Sequence, residues 1–183
     1  VVLVPGARQR IDEVLTQYGL GWERIRGVRI ATPEQMPFIK MAAFDVANRL
    51  LTTLSEHRTN AVLGNWVRAR AIGVDGGVDF QHAGHVERVQ LDLLRTVLED
   101  GLVPIFPCIG WSGSGQPYNI SSRELATSIS MSLAADKLFF VTSTAGIDAG
   151  AYTLPEGVDR GRSGRISRMD VSQAKDFLEK NAP

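Results

Sequence analysis

Three short stretches carry side chains suited to holding a small charged molecule. In PGARQRID, residues 5–12, Gly6 sits between an apolar run and a helical pattern. A glycine there lets the backbone approach a ligand, and the helix behind it offers free N–H groups and the positive end of its dipole. Arg8 adds a forked donor for a carboxylate. The same glycine also suits a plain turn, and the pattern alone does not choose. In GVRI, residues 27–30, Arg29 lies inside a short extended apolar segment and must set its head in a polar place. A structural salt bridge and a bound carboxylate satisfy it equally. In SGSGQPYNISSRE, residues 112–124, Asn119 both donates and accepts, which suits an amide or an α-carboxylate. The alternative is a turn and helix cap built by Asn119, Ser121 and Ser122. Arg123 then puts a cation at a helix start where a metal-and-phosphate site would want a carboxylate.

Other chemistries find less support. His57, His82 and His85 have no metal-ligand spacing with a carboxylate or cysteine, so no metal site is expected. Cys108 is the only cysteine and lies in the apolar run LVPIFPCIG. It allows no internal disulfide, has no adjacent base signal, and reads as a buried inert thiol. There is no GxxxxGK[ST] and no complete GxGxxG, so the usual nucleotide loops are absent. Lys plus Arg equals Asp plus Glu at 20 each, which gives a nucleic-acid or membrane-surface role no help. The basic RGRSGRISR, residues 160–168, reads as a mobile solvated loop. No apolar run approaches a membrane span and no signal peptide is visible. The cysteine usage fits a cytoplasmic setting or an organelle matrix.

The elements that must position these residues alternate between two periods. VVLV, residues 1–4, reads as a buried strand stopped by Pro5-Gly6. Arg8 to Tyr18 reads as a helix with Ile11, Val14, Leu15 and Tyr18 on one face. Thr32, Pro33 and Gln35 supply a cap, a first-turn proline and a reachable amide for a long helix reaching about Leu54. From Val62 to about Val89 the pattern is strand, turn at Asp75-Gly76-Gly77, strand, with a second tight turn at Ala83-Gly84. Leu91–Asp100 returns to a helical period. LVPIFPCIGW and LFFVTS are further apolar strands, and helices follow Ser121 or Ser122 and Asp170. Strands alternating with helices predict a parallel sheet covered on both faces. In such sheets ligands bind beyond the carboxyl ends of strands, where Pro5–Arg8, Gly110–Asn119 and Thr142–Gly146 all fall. The abrupt opening on a strand suggests part of a longer polypeptide.

Taken together, VVLVPGARQRID, GVRIAT, the ribbon GNWVRARAIGVDGGVDFQHAGHVERV, YNISSRELATSISMSLAADKLFFVTSTAGI and SGRISRMDVSQAKDFLEK resemble, in this order, the amino-acid kinase superfamily. The resemblance is nearest to the kinase-like domain of the N-acetylglutamate synthases, with the acetylglutamate kinases next. GVDGGVDFQHAGHVERV is synthase-like, and so is Gly6-Ala7-Arg8 where the kinases carry Gly-Gly-Gly. The stretch between Leu54 and Asn60 is shorter than in the family.

The resemblance implies a three-layer αβα sandwich, with a mainly parallel central sheet and a protruding β-ribbon. It further implies that residues 1–183 are an incomplete domain of this kind, the first strand, the C-terminal part and an acetyltransferase domain lying beyond it. The kinases have Asn-x-Asn-x-Asp where this chain reads Asn119-Ile-Ser121-Ser-Arg123, and a strand-end Asp where it has Ser143. Two such losses argue against phosphoryl transfer. The acylamino-acid end survives in Gly6, Ala7, Arg8, Arg29 and Asn119, to bind substrate-like molecules or effectors. No residue of this chain is then catalytic and no cofactor is bound by it. The parent would use acetyl-CoA as co-substrate to acetylate L-glutamate in arginine biosynthesis, with L-arginine as effector and N-acetylglutamate as product, in a homo-oligomer that needs neither nucleic acid nor membrane. An acetylglutamate kinase, or an amino-acid sensor without enzymatic activity, are the alternatives.

Overall fold

Helix formation follows the apolar spacing. In the computed structural model, which describes residues 1–182, α1 runs Arg8–Gln17 and buries Ile11, Val14 and Leu15 of the face read from the sequence, whereas Tyr18, the fourth residue read on that face, sits at the C-cap and is 55% exposed. Two short strands come next, β1 (Arg24–Ile25) and β2 (Val28–Arg29). Thr32 and Gln35 exchange bonds ahead of the long helix. The Gln35 amide donates to Thr32 Oγ1 at 3.3 Å, and the Thr32 amide donates to Gln35 Oε1 at 3.2 Å. The helix, α2, runs Met36–Glu56 and buries Ile39, Ala42, Ala43 and Ala47.

The middle of the first unit, Val1–Leu138, is built from strands. These are β3 (Ala61–Leu63), β4 (Val67–Ala71), β5 (Val74–Asp75), β6 (Val78–Asp79) and β7 (Ala83–Val89). After α3 (Leu91–Glu99) come β8 (Val103–Ile105), β9 (Ile109–Trp111), β10 (Pro117–Ile120) and α4 (Ser122–Ser132). β8 pairs in parallel with β3 and makes a parallel bridge to Leu3, so Val1–Val4 contributes one bridge residue rather than a full strand. β10, β7, β4 and β9 close into a small ring, parallel at β10–β7 and β4–β9, antiparallel at β4–β7 and β9–β10. A ring of four strands has little room inside. A Cβ added to Gly110 would lie 2.5 Å from Ile120 Cδ1 and 2.7 Å from Ala69 Cβ, so only glycine lets β9 close it.

Two apolar cores lie against the strands. One joins Ile11, Val14 and Leu15 of α1 to Ile39 and Ala43 of α2 and to Ile109. The other joins Val67, Ala69 and Val89 to Leu94 of α3, Phe106, Ile120, and Leu125 and Ile129 of α4. Helices therefore cover both faces of the strands, which is the α/β sandwich expected. Among the described residues no helix is long and apolar enough to cross a membrane.

The expected ribbon is present as the hairpin β5–β6. Its two-residue loop, Gly76-Gly77, has φ of 56° and 78°, the left-handed pair that a type I′ turn requires. The turn expected at Ala83-Gly84 is not one: both residues belong to β7, where Ala83 pairs with Asn119 and Gly84 with Ile120. The tight reversal comes earlier, where Gln81 has φ of 52°.

The second unit begins at Phe139. LFFVTS, expected to be a strand, is not one: Phe139, Phe140 and Val141 are exposed, Val141 at 96%. Among the described residues no strand runs beside it, and an apolar run becomes a strand only where a neighbouring backbone takes its hydrogen bonds. This unit instead holds the hairpin β11 (Asp159–Arg160) and β12 (Ile166–Arg168), followed by α5 (Val171–Lys180). The segment read as a solvated basic loop thus includes a short antiparallel pair. Asp170 caps α5 in a reciprocal box with Gln173, as its position before the helix suggested.

Candidate functional site

Where β10 runs into α4, the first unit encloses a cavity of about 330 Å³. Of the residues expected from sequence to bind a ligand or to mark a lost kinase position, Ala7, Arg8, Arg29, Asn119 and Arg123 line it. Gly6 adjoins it. A Cβ added there would stand 3.5 Å from Ser122 Oγ, an ordinary contact, so close packing does not force glycine at this position. Ser143 belongs to the second unit and is exposed.

Two helix starts reach the cavity. Ala7 holds the N-cap of α1 and has no side chain able to cap it. Ser121 holds the N-cap of α4 with extended backbone, yet its hydroxyl makes no capping bond. The capping role read for Ser121 or Ser122 is therefore corrected to position only. Amide N–H groups in a first turn have no partner within their own helix, and the dipole makes that end positive. Glu124, in the first turn of α4, is already engaged. Its carboxylate accepts from the Val86 amide at 2.8 Å and pairs with His85 Nδ1 at 3.0 Å. Asn119 is held by the ladder: its amide donates to the His82 carbonyl at 2.8 Å.

Opposite these elements stands the hairpin β1–β2. Its loop, Arg26-Gly27, has φ of 50° and 79°, again a type I′ turn, with an arginine in the left-handed region. Arg26 docks on the tip of the other hairpin, donating to the Asp75 carbonyl at 2.9 Å and meeting its carboxylate at 3.0 Å. Arg24 and Arg29 face each other across the hairpin, a like-charge pair that needs a counter-charge. Asp12 of α1 supplies it to both guanidiniums. Trp22 lies under Arg24, 4.3 Å from its guanidinium carbon to the ring centre.

Arg29 thus makes the salt bridge that its sequence context allowed, and it keeps something in reserve. Its side chain is 4% exposed, and its Nη1 has no hydrogen-bond partner among the described residues. A buried unpartnered guanidinium nitrogen at a cavity wall is a donor awaiting an acceptor. Burial draws Arg29 below the ordinary arginine value, with Asp12 opposing, although a guanidinium remains charged. For Asp12, burial works against the charged form, but hydrogen bonds from Arg24 and Arg29 outweigh it and hold the carboxyl below its usual range.

Cys108 also lines the cavity. It is buried, its thiol donates to the Pro5 carbonyl at 3.0 Å, and burial pushes its pKa up to about 11. A thiol so placed is a poor nucleophile. Among the described residues there is no cluster of three or more His, Cys, Asp or Glu that could hold a metal ion.

Sequence reasoning did not find Asp12, Trp22, Arg24, Arg26, His85 or Glu124. A signal existed for some: RIRGVR sets Arg24 and Arg29 across a two-residue turn, and two facing arginines demand an acid nearby.

The model of the amino acid kinase family matches residues 1–182. An amino-acid acetyltransferase of Aeromonas salmonicida is 36% identical over 157 residues, which is 80% of this chain and 35% of that protein. An N-acetylglutamate synthase structure from Neisseria gonorrhoeae, with coenzyme A and N-acetylglutamate, aligns with a TM-score of 0.82 at 27% identity, over 99% of this chain and 40% of that one. The same organism's synthase with coenzyme A and L-arginine gives 0.76 at 26% identity, over 98% and 44%. This chain therefore spans well under half of each of these relatives. With its α/β architecture and a family model that runs from the first residue to the last described one, the chain belongs to the amino acid kinase family.

Proposed function

We propose that this chain is the kinase-like regulatory and oligomerisation part of an N-acetylglutamate synthase. The parent protein would transfer an acetyl group from acetyl-CoA to L-glutamate in arginine biosynthesis, with L-arginine as allosteric effector. The acetyl transfer would be carried out outside this chain, in the cytoplasm or an organelle matrix.

One observation carries the reading: Arg123, a cation, stands at the first turn of α4 on the cavity wall. Phosphoryl transfer needs groups there that organise lysines and metal around a developing negative charge. A guanidinium repels those lysines and the metal alike. The names of the relatives point the same way, since they are acetyltransferases and synthases. Gly6, Ala7, Arg8, Arg29 and Asn119 form the effector- or substrate-like end of the site in this reading. Arg123 and Ser143 mark the lost kinase positions.

Two measurements test it. The purified chain with ATP, magnesium and N-acetylglutamate should release no ADP above background in a coupled assay, and steady turnover would sink the regulatory reading. The longer parent protein should move labelled acetyl from acetyl-CoA to glutamate, at a rate that added arginine changes.

A further inference from the structure

Two hairpins of the first unit meet at their tips, and the residue that joins them is a costly one for its place. Arg26 is the first central residue of the type I′ turn between β1 and β2, with φ of 50°. That position favours Asn, Asp or Gly, because a longer side chain is strained there. A residue in such a conformation persists where its surroundings hold it. What holds Arg26 is the other tip. Its Nη2 donates to the Asp75 carbonyl at 2.9 Å and lies 3.0 Å from the Asp75 carboxylate. Gly76 makes room for it, since a Cβ there would stand 2.9 Å from the same nitrogen.

Each hairpin has only two residues per strand, and a lone hairpin is marginal in water. Their roots are joined: Ala31 bridges Gln81, and the His82 amide donates to the Ala31 carbonyl at 2.9 Å. Arg26 and Gly27 of the first hairpin line the cavity, as does Ile72 just before β5. Trp22 and Ile30, beside the first hairpin, and Gly77 and Val78, of the second, line a separate open recess. Both hairpins thus serve as wall.

We propose that Arg26 is a latch, coupling β1–β2 to β5–β6 at their tips so that the two hairpins open and close as one wall. With roots joined and tips pinned, neither moves alone. With the tips free, each pivots about its root. The two side chains are 56% and 62% exposed, so dissolved salt weakens the latch. The coupling stands with or without the regulatory reading.

Hydrogen–deuterium exchange of the 183-residue chain tests it, read by mass spectrometry over residues 22–31 and 72–81. Arg26→Asn keeps a residue suited to the left-handed turn and removes the reach to Asp75. It should speed exchange about two- to fivefold in both segments, the range that an exposed ion pair supports. α1 and α3 should exchange as in wild type, which shows the variant folded. Asp75→Asn, which keeps the carbonyl, should act on the same two segments more weakly, and should add nothing in a chain that already carries Arg26→Asn. Raising salt from about 0.05 M to about 1 M should move wild type toward the Arg26→Asn rate and leave the variant unchanged. An effect confined to residues 22–31, no effect in either segment, two substitutions whose effects simply add, or an acceleration spread equally over α1 and α3 would overturn the latch.

Discussion

Asp12 is one carboxylate serving two arginines, and the buried one cannot do without it. Removing it leaves Arg29, with a side chain only 4% exposed, as an uncompensated charge beside Arg24. Breaking a buried pair from one side is costly, so Asp12→Asn should lower stability by about 3 kcal/mol, read from urea unfolding at neutral pH. Because the Asp12 carboxyl sits below its ordinary value of 3.8 in the folded chain, its contribution is present above that value and disappears as pH falls through the folded pKa. The wild-type chain should therefore lose stability in that acid range, and the variant should lack that part of the loss. An Asp12→Asn chain as stable as wild type would mean that Arg29 finds its counter-charge elsewhere.

At the scale of the elements, glycine separates tolerance from necessity. Gly110→Ala forces a methyl into the strand ring at 2.5 Å from Ile120 Cδ1 and should cost about 1–3 kcal/mol in thermal unfolding. Gly6→Ala meets only ordinary contact and should stay within about 0.5 kcal/mol of wild type. Equal losses in the two variants would contradict the crowding in the ring. The helices were legible in the sequence because their apolar faces repeat at the helical period: α1, α2 and α3 end within two residues of the positions read for them. Strands were less so. LFFVTS and VVLV have strand composition, but pairing depends on a neighbour that no local pattern encodes. The cavity was half legible. Arg8, Arg29, Asn119 and Arg123 were found as isolated motifs with competing bland readings. Asp12 and Glu124, which show how those arginines are used, looked like ordinary surface charges of helices.

Both apolar cores of the molecule are built from residues that precede Leu138. A chain cut after Leu138 should therefore still unfold in one cooperative thermal transition and keep most of its helical dichroism. A gradual, non-cooperative loss would show that the remaining residues are required for the first unit to fold. Cys108 lends itself to watching the intact chain. It is the sole sulfhydryl, bonded to the Pro5 carbonyl beneath the loop that starts α1. Cys108 is only 4% exposed, so a thiol-directed dye reaches it when the walls around it open, and the labelling rate counts those openings one at a time. Any molecule that settles against the loop slows the clock, whatever its chemistry.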